Sequence, residues 1–484
     1  MKDQILALEK TSRLLEPTTQ DRKIWSEQLQ TYLNQFFKNN DDPDEPLFYD
    51  KKPVQQPYDN FQHPISFENM LQYFQEKVIE EALNPASGRH FGYIPGGGVY
   101  ASSIGDYLGA ATNKYVGLYS VAPNAVQIEN NLIEWMAELM GFDREKAGGS
   151  LASGGSMANL TGIVAARDAK LSLKDYHRAV IYMTNQTHHC VHKALRIAGF
   201  VANESHQVGN IHYIEMDERY NLKMDKLQEA IEQDKAAGKL PFMVVGNAGT
   251  TNFGSVDPLY EIGQICEKED LWFHVDGAYG AYFMLSDYKE ELKGIELADT
   301  IVMDAHKTLF LPYGLGALIA KNKEYLFNAF YYQANYINES NDLKYSPANV
   351  SPELTKPFRG LRLWIPLKLH GVAPFAAALN EKILLARYFY HQLWELEGFE
   401  LSPFPQLSVF AFRYIPNHLK GNEQAINRYN QQKMNEIVKG GEVFFSGTMD
   451  NGKFWIRVAV VVFRTHLEEV ERAIRVIKKT LIVE

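Results

Sequence analysis

The chain has 484 residues, of which 45% are hydrophobic and 22% charged, and its formal net charge is −10. This length allows two or three domains around a large core, and an acidic balance without any basic run argues against a nucleic-acid partner. Two cysteines, Cys190 and Cys266, exclude a disulfide framework and a cysteine-rich metal site, and they fit a reducing, cytoplasmic setting. The opening stretch MKDQILALEKTSRLLEP mixes charges with short apolar pieces, unlike a signal or transit peptide. No apolar run approaches the roughly 18 residues of a membrane span, and the longest candidate, Val458 to Phe463, reads as a buried strand.

Trp25, Leu29, Leu33 and Phe36 recur at helical spacing, so the first ~40 residues are expected to be helical. Pro43, Pro46, Pro53 and Pro57 then mark an extended linker, followed by a second helical stretch, Phe67 to Ala82, and a glycine cluster, Pro95 to Gly98. These two helices cannot cover their own apolar faces. They are expected to form an arm that packs on a second copy of the chain.

From about residue 100 to 320, helix-length segments such as Lys223–Ala237 alternate with short apolar runs: Ala179–Thr184, Phe242–Gly246, Leu271–Val275, Thr300–Met303 and Gly316–Ile319. Continuous Val/Ile-rich runs of this length are expected to be strands of a parallel sheet buried on both faces, with sites at their carboxyl ends. After about residue 372 the texture changes to a long helix, Phe375–Leu396, two strands, Leu407–Arg413 and Lys453–Phe463, and a final helix carrying Val470, Ile474 and Ile477. The expected plan is a helical arm (1–98), a large α/β domain (99–372) and a small α+β domain (373–484).

Four features follow candidate strands. SLASGGSMANLTGIVAAR reads as strand, tight turn and helix, and Gly154, Gly155 and Ser156 at its helix start can cradle a phosphate. His188, in TNQTHHC, offers a flat ring or a helix cap. Asp276 ends an apolar strand in HVDGAYG, as a cap or as the partner of a buried cation. Lys307, in DAHKTLFLPYG, can face a cleft, where desolvation lowers the pKa of an amine, or it can lie at the surface. The neighbouring His192-Lys193 pair falls inside an apparent helix and is read as solvated. Each feature alone has an ordinary structural explanation. Together, a phosphate loop, a flat ring, a carboxylate and a lysine on one sheet are the groups that pyridoxal 5′-phosphate (PLP) requires.

These motifs resemble the group II PLP-dependent decarboxylases, the family of aromatic-L-amino-acid, glutamate and histidine decarboxylases. The most specific match is HVDGAYG with the lysine of DAHK placed 31 residues after its aspartate. The resemblance implies that Lys307 carries the cofactor with His306 beside it, that Asp276 pairs with the pyridine nitrogen, and that Ala278 packs under the ring. It also implies that His188, in Gln186-Thr187-His188, stacks on the ring, and that Gly155 and Ser156 bind phosphate. GRHFGYIP resembles the segment carrying a substrate-pocket aromatic, here Tyr93. AFYYQANYI resembles the start of a catalytic loop whose tyrosine falls on Tyr336, with Tyr345 as the second candidate. SPELTKPFRGLRLW resembles the segment that closes the large domain, with Arg359 in its Phe-Arg step and Thr355 where aromatic decarboxylases usually have Gly or Ser. Ile94 and Gly96 replace bulkier or hydroxylated residues, Asn247 stands where some relatives have Thr, and Asp304 where some have Asn.

The implied fold is the fold-type I, aspartate aminotransferase-like architecture, as an obligate homodimer. The implied reaction is decarboxylation of an L-amino acid, aromatic by first expectation, to an amine and carbon dioxide. Tyr336 would return the proton. Aldehyde synthase chemistry, carbon–carbon lyase activity and decarboxylation of an acidic or basic amino acid are the alternatives.

Overall fold

In the computed structural model, which describes residues 1–40, 42, 45, 47, 61–80, 82–200, 209–332 and 346–482, the apolar runs form one seven-stranded sheet. Its strands are β1 (Gly148–Ala152), β2 (Ala179–Met183), β3 (Ile211–Tyr213), β4 (Leu240–Asn247), β5 (Trp272–Asp276), β6 (Thr300–Met303) and β7 (Gly316–Ala320), in the order β1-β7-β6-β5-β4-β2-β3. From β3 through β2, β4, β5 and β6 every pairing is parallel. The expectation of a wholly parallel sheet is corrected at Gly316–Ile319. β7 pairs antiparallel with both β6 and β1. The connection from Asp304 to Leu315 holds only the single helical turn Ala305–Thr308, without the full helix that usually carries a parallel crossover.

The helices up to this domain's end are α1 (Lys2–Ser12), α2 (Thr19–Asn40) and α3 (Phe67–Phe74) of the amino-terminal segment, then α4 (Tyr100–Thr112), α5 (Pro123–Leu139), α6 (Gly155–Lys170), α7 (His189–Ile197), α8 (Met224–Ala236), α9 (Leu259–Glu269), the single turn α10 (Ala305–Thr308), α11 (Lys323–Phe330) and α12 (Gly360–His370). Apolar residues from both faces of the sheet make the core. Tyr182, Val244, Phe273 and Ile301 belong to one cluster, and Ile181, Met243, Val245 and Trp272 to another. Alternate residues of the same strands are thus buried on opposite faces, which is why these strands are continuously apolar.

A second sheet, in the order β10-β11-β9-β8, is antiparallel. It comprises β8 (Phe399–Leu401), β9 (Val409–Tyr414), β10 (Ser446–Asp450) and β11 (Lys453–Ala459), packed with α13 (Ala373–Trp394), α14 (Glu423–Lys439) and α15 (Leu467–Leu481). The expected strand Val458–Phe463 stops at Ala459. Val460 to Val462 remain buried beyond it; the Val460 amide still bonds the Ser408 carbonyl at 2.9 Å, and the Phe463 amide bonds the Gly96 carbonyl at 3.3 Å.

The amino-terminal helices form as expected, with a break at Arg13–Thr18 and a π-helical turn, Gln75–Ile79, ending the second stretch. α1, α2 and α3 bury no residue completely, and Ile5, Leu6, Leu8, Trp25 and Leu29 stay exposed. The four prolines of the anticipated linker lie outside the described residues. No helix among the described residues is long and apolar enough to cross a membrane.

One contact ties this scaffold to the site. A Cβ on Gly316, the first residue of β7, would press on the Asp304 carboxylate and lie 2.8 Å from the Gly154 backbone. Gly316→Ala is therefore expected to destabilise the protein by about 1–3 kcal/mol through overpacking, seen as a lower urea midpoint at unchanged secondary-structure content.

Candidate active site

β1, β2, β4, β5 and β6 end along the same edge of the sheet, and their following loops line one cleft of about 530 Å³. After β1 the chain turns at Ser153-Gly154, and α6 starts at Gly155 with no side-chain cap. Uncapped first-turn amides at the positive end of a helix dipole suit an anion. Gly155 is glycine for room, because a Cβ there would lie 2.7 Å from the Asp304 Oδ2 and 3.3 Å from the Ala278 Cβ. Ser156 is exposed to the cleft beside it.

Asp276 closes β5 and is held from behind. Its Oδ1 accepts from the Ala278 amide at 3.2 Å, and its Oδ2 accepts from Asn159 Nδ2 at 3.4 Å. Asn159 Oδ1 lies 2.8 Å from His274 Nε2, and His274 Nδ1 lies 2.8 Å from Thr300 Oγ1, which accepts from Trp272 Nε1 at 3.0 Å. Burial pushes His274 down to about 4, so its ring is neutral. Because Asn159 Nδ2 already donates, to Gly155 O as well as to Asp276, the Asn159 Oδ1 must accept; the His274 proton therefore sits on Nε2. The relay Trp272–Thr300–His274–Asn159 thus fixes the aspartate from the core.

Lys307 sits on α10, just after β6. Its Nζ is 3.1 Å from the Asp304 Oδ2, and Asp304 is almost wholly buried. The expectation that desolvation lowers the pKa of this amine is corrected by its neighbours. Burial does push Lys307 down, but Asp304 and then Asp276 outweigh it and the net direction is upward. The other Asp304 oxygen, Oδ1, is buried with no hydrogen-bond partner. His306 donates from Nδ1 to the Leu315 carbonyl at 2.9 Å and turns Nε2 toward Asp304 at 3.7 Å, and burial pushes its pKa down.

His188 caps a helix and borders the cleft. As N-cap of α7 its Nδ1 accepts from the Cys190 amide at 3.3 Å, and the ring also lines the cleft. Burial lowers its pKa against the pull of Asp276. Cys190, between His188 and Asp276, is held up at about 12 by burial and is a thiol at neutral pH.

The structure therefore brings Lys307, Asp276, His188, Ala278, His306, Gly155 and Ser156 into one cleft, with Tyr93 at its mouth. Tyr93 has φ 50°, a left-handed conformation uncommon for a bulky residue, and is 60% exposed. Thr355 is exposed on the segment before α12 and is not brought to this cleft within one chain. Tyr336 and Tyr345 lie outside the described residues. His192 is half-buried, not solvated, its Nε2 at 2.8 Å from the Tyr213 hydroxyl, whereas Lys193 is exposed. Sequence reasoning missed Asn159 and Arg457. The local signal for each is a polar residue in a largely apolar segment, Asn159 in the helix MANLTGIVAA and Arg457 in the strand FWIRVAVVV. The set fits PLP: an amine, a facing carboxylate, a flat ring and an uncapped helix start are all present, and a Cβ would block the cradle at Gly155.

Replacing Asp304 by Asn removes the carboxylate that holds the Lys307 ammonium. In the cofactor-free enzyme, acylation of Lys307 by an amine-specific reagent is expected to begin about 1–3 pH units lower in this variant than in the wild type. Peptide mass spectrometry across a pH series checks it.

The chain matches the family model described as the pyridoxal-dependent decarboxylase conserved domain over residues 51–415. It is 34% identical over 415 residues to an aromatic-L-amino-acid decarboxylase of Bacillus atrophaeus, covering 84% of each chain. It is 27% identical over 433 residues to a phenylacetaldehyde synthase of Arabidopsis thaliana, covering 86% of each. In fold it is similar to the crystal structure of Oryza sativa TDC with PLP and tryptamine, with a TM-score of 0.87 at 24% identity over 96% of this chain and 98% of that one. The chain belongs to the pyridoxal-dependent decarboxylases, enzymes of amino acids whose cofactor is PLP.

Proposed function

We propose that this enzyme removes the α-carboxylate of an aromatic L-amino acid, giving the amine and carbon dioxide. The observation that carries the proposal is the convergence of Lys307, Asp276, His188 and the α6 start on one cleft whose mouth is lined by Tyr93, Ile94 and Tyr313. Bound PLP supplies the electron sink that accepts the pair left by the departing carboxylate. Lys307 binds the cofactor through its amine. Asp276, braced by Asn159 and His274, holds a proton on the ring nitrogen. Ala278 and His188 line the cleft where they would hold the ring, and the amides of Gly155 with the Ser156 hydroxyl would receive the phosphate. His306 lies beside the lysine.

Tyr93 and Thr355 are assigned to the substrate side, Thr355 from a second copy of the chain. A homodimer is supported by the uncovered apolar residues of α1 and α2, which a partner would bury. The free, buried cysteines support a reducing, cytoplasmic setting. An aromatic side chain is favoured over an acidic one because Arg457, a cationic residue of the cleft, already donates to the Thr251 and Asn252 carbonyls and to Ser446 Oγ. The aldehyde synthase relative keeps a second outcome open, and the proton donor decides between them.

Carbon dioxide and amine release from a panel of aromatic, acidic and basic amino acids tests the substrate class, and the aromatic members are expected to turn over fastest. Tyr336 is assigned as the donor that returns the proton to the substrate carbon. Tyr336→Phe is expected to bind substrate normally, lose amine and divert turnover to aldehyde and ammonia with oxygen consumption, while Tyr345→Phe changes little. Product analysis with an oxygen electrode measures both, and unchanged amine from Tyr336→Phe removes the assignment.

A further inference from the structure

The β10–β11 hairpin turns through Asn451-Gly452, with φ 46° and 76° and Asp450 paired to Lys453. Both turn residues at positive φ make the tight turn that matches strand twist, and Asn-Gly is its preferred sequence. The turn is pinned from α14, where Asn427 Nδ2 donates to the Gly452 carbonyl at 2.7 Å and its Oδ1 accepts from the Phe454 amide at 2.7 Å. The hairpin is therefore a rigid element of the small sheet.

Three residues of this hairpin reach across to segments that line the cleft. Asp450, buried, accepts at Oδ1 from Gln186 Nε2 at 2.9 Å, and Gln186 Oε1 accepts from Asn252 Nδ2 at 2.9 Å. Arg457, only 4% exposed, donates to the Thr251 and Asn252 carbonyls and to Ser446 Oγ. Ser446 Oγ in turn accepts from the Tyr93 amide at 3.3 Å. The Tyr93 segment, the loop from Gln186 to His188 and the loop after β4 are thus held by one hairpin of the other sheet.

We propose that Asp450 is a positioning residue. Through Gln186 it fixes the loop that carries His188, and so sets how the cofactor ring is held in the cleft. The inference rests on the placement of His188 against the ring given above. Gln186 has one amide to satisfy on each side, Asp450 for its N–H and Asn252 for its oxygen. Removing Asp450 leaves a buried donor unpaired and the loop free to shift. Asparagine at 450 keeps an acceptor oxygen and preserves the hold.

The test uses the PLP-loaded full chain. In Asp450→Ala the circular dichroism of the cofactor's visible band is expected to lose at least about half its amplitude, and kcat to fall about tenfold or more with KM within about twofold, a tenfold loss corresponding to about 1.4 kcal/mol. Asp450→Asn is expected to stay near wild type. Gln186→Met is expected to reproduce the Ala phenotype, and the double variant to be no worse than either single one, as for residues acting through one contact. Unchanged visible dichroism and kcat in Asp450→Ala with only a lower Tm, or additive losses in the double variant, overturn the proposal. If Asp450→Ala does not fold, the contrast between Gln186→Met, impaired, and Asp450→Asn, near wild type, decides it by the same two readouts. The dichroism reads ring placement whichever amino acid is the substrate, so failure of the aromatic reading leaves this test standing.

Discussion

A lysine amine on the turn that follows a buried strand has to be compensated, and the Lys307–Asp304 contact at 3.1 Å supplies that compensation. Burial alone would push the pKa of the amine down, and Asp304 and Asp276 reverse the direction. Much of the local architecture follows from placing two carboxylates beside one amine. Gly155 and Gly316 lack side chains where a Cβ would press on Asp304, so α6 and β7 close on it. Asp276 is braced by a neutral histidine and an asparagine, and needs no second cation to hold it. The antiparallel β7 brings the chain back beside β6, so that the Leu315 carbonyl can fix His306 next to the lysine.

The second sheet contributes more than stability. Its helices close their own core around Phe389, Phe410, Phe412 and Ile456. Its hairpin then directs its buried polar residues to the large sheet's loops, so the cleft is assembled by both sheets. A buried polar chain of this kind is costly unless every member is satisfied, and the pairing of both ends of the Gln186 amide meets that requirement.

The sheet was legible because its central strands are continuous apolar runs, and Lys307, Asp276 and His188 were legible because they punctuate the ends of those runs. The direction of β7 was not, since a Gly-Ala-Leu-Ile run reads alike in either orientation and the connection before it carries only one helical turn. The upward direction of the Lys307 amine was also hidden. Asp304 stands three residues before it, but only the helical turn of α10 puts the two side chains in contact. The hairpin carried its own signal, Asp-Asn-Gly-Lys before the apolar run of β11, whereas its contact with Gln186 spans 264 residues of chain and leaves no local pattern.

Every role assigned in the cleft depends on Lys307 carrying the cofactor at the carboxyl edge of this sheet. Borohydride reduction of the PLP-loaded enzyme, followed by peptide mapping, reads that attachment without reference to the substrate. The label is expected on Lys307, in the peptide containing DAHK. Label on Lys193, or on no single lysine, would contradict the assignment.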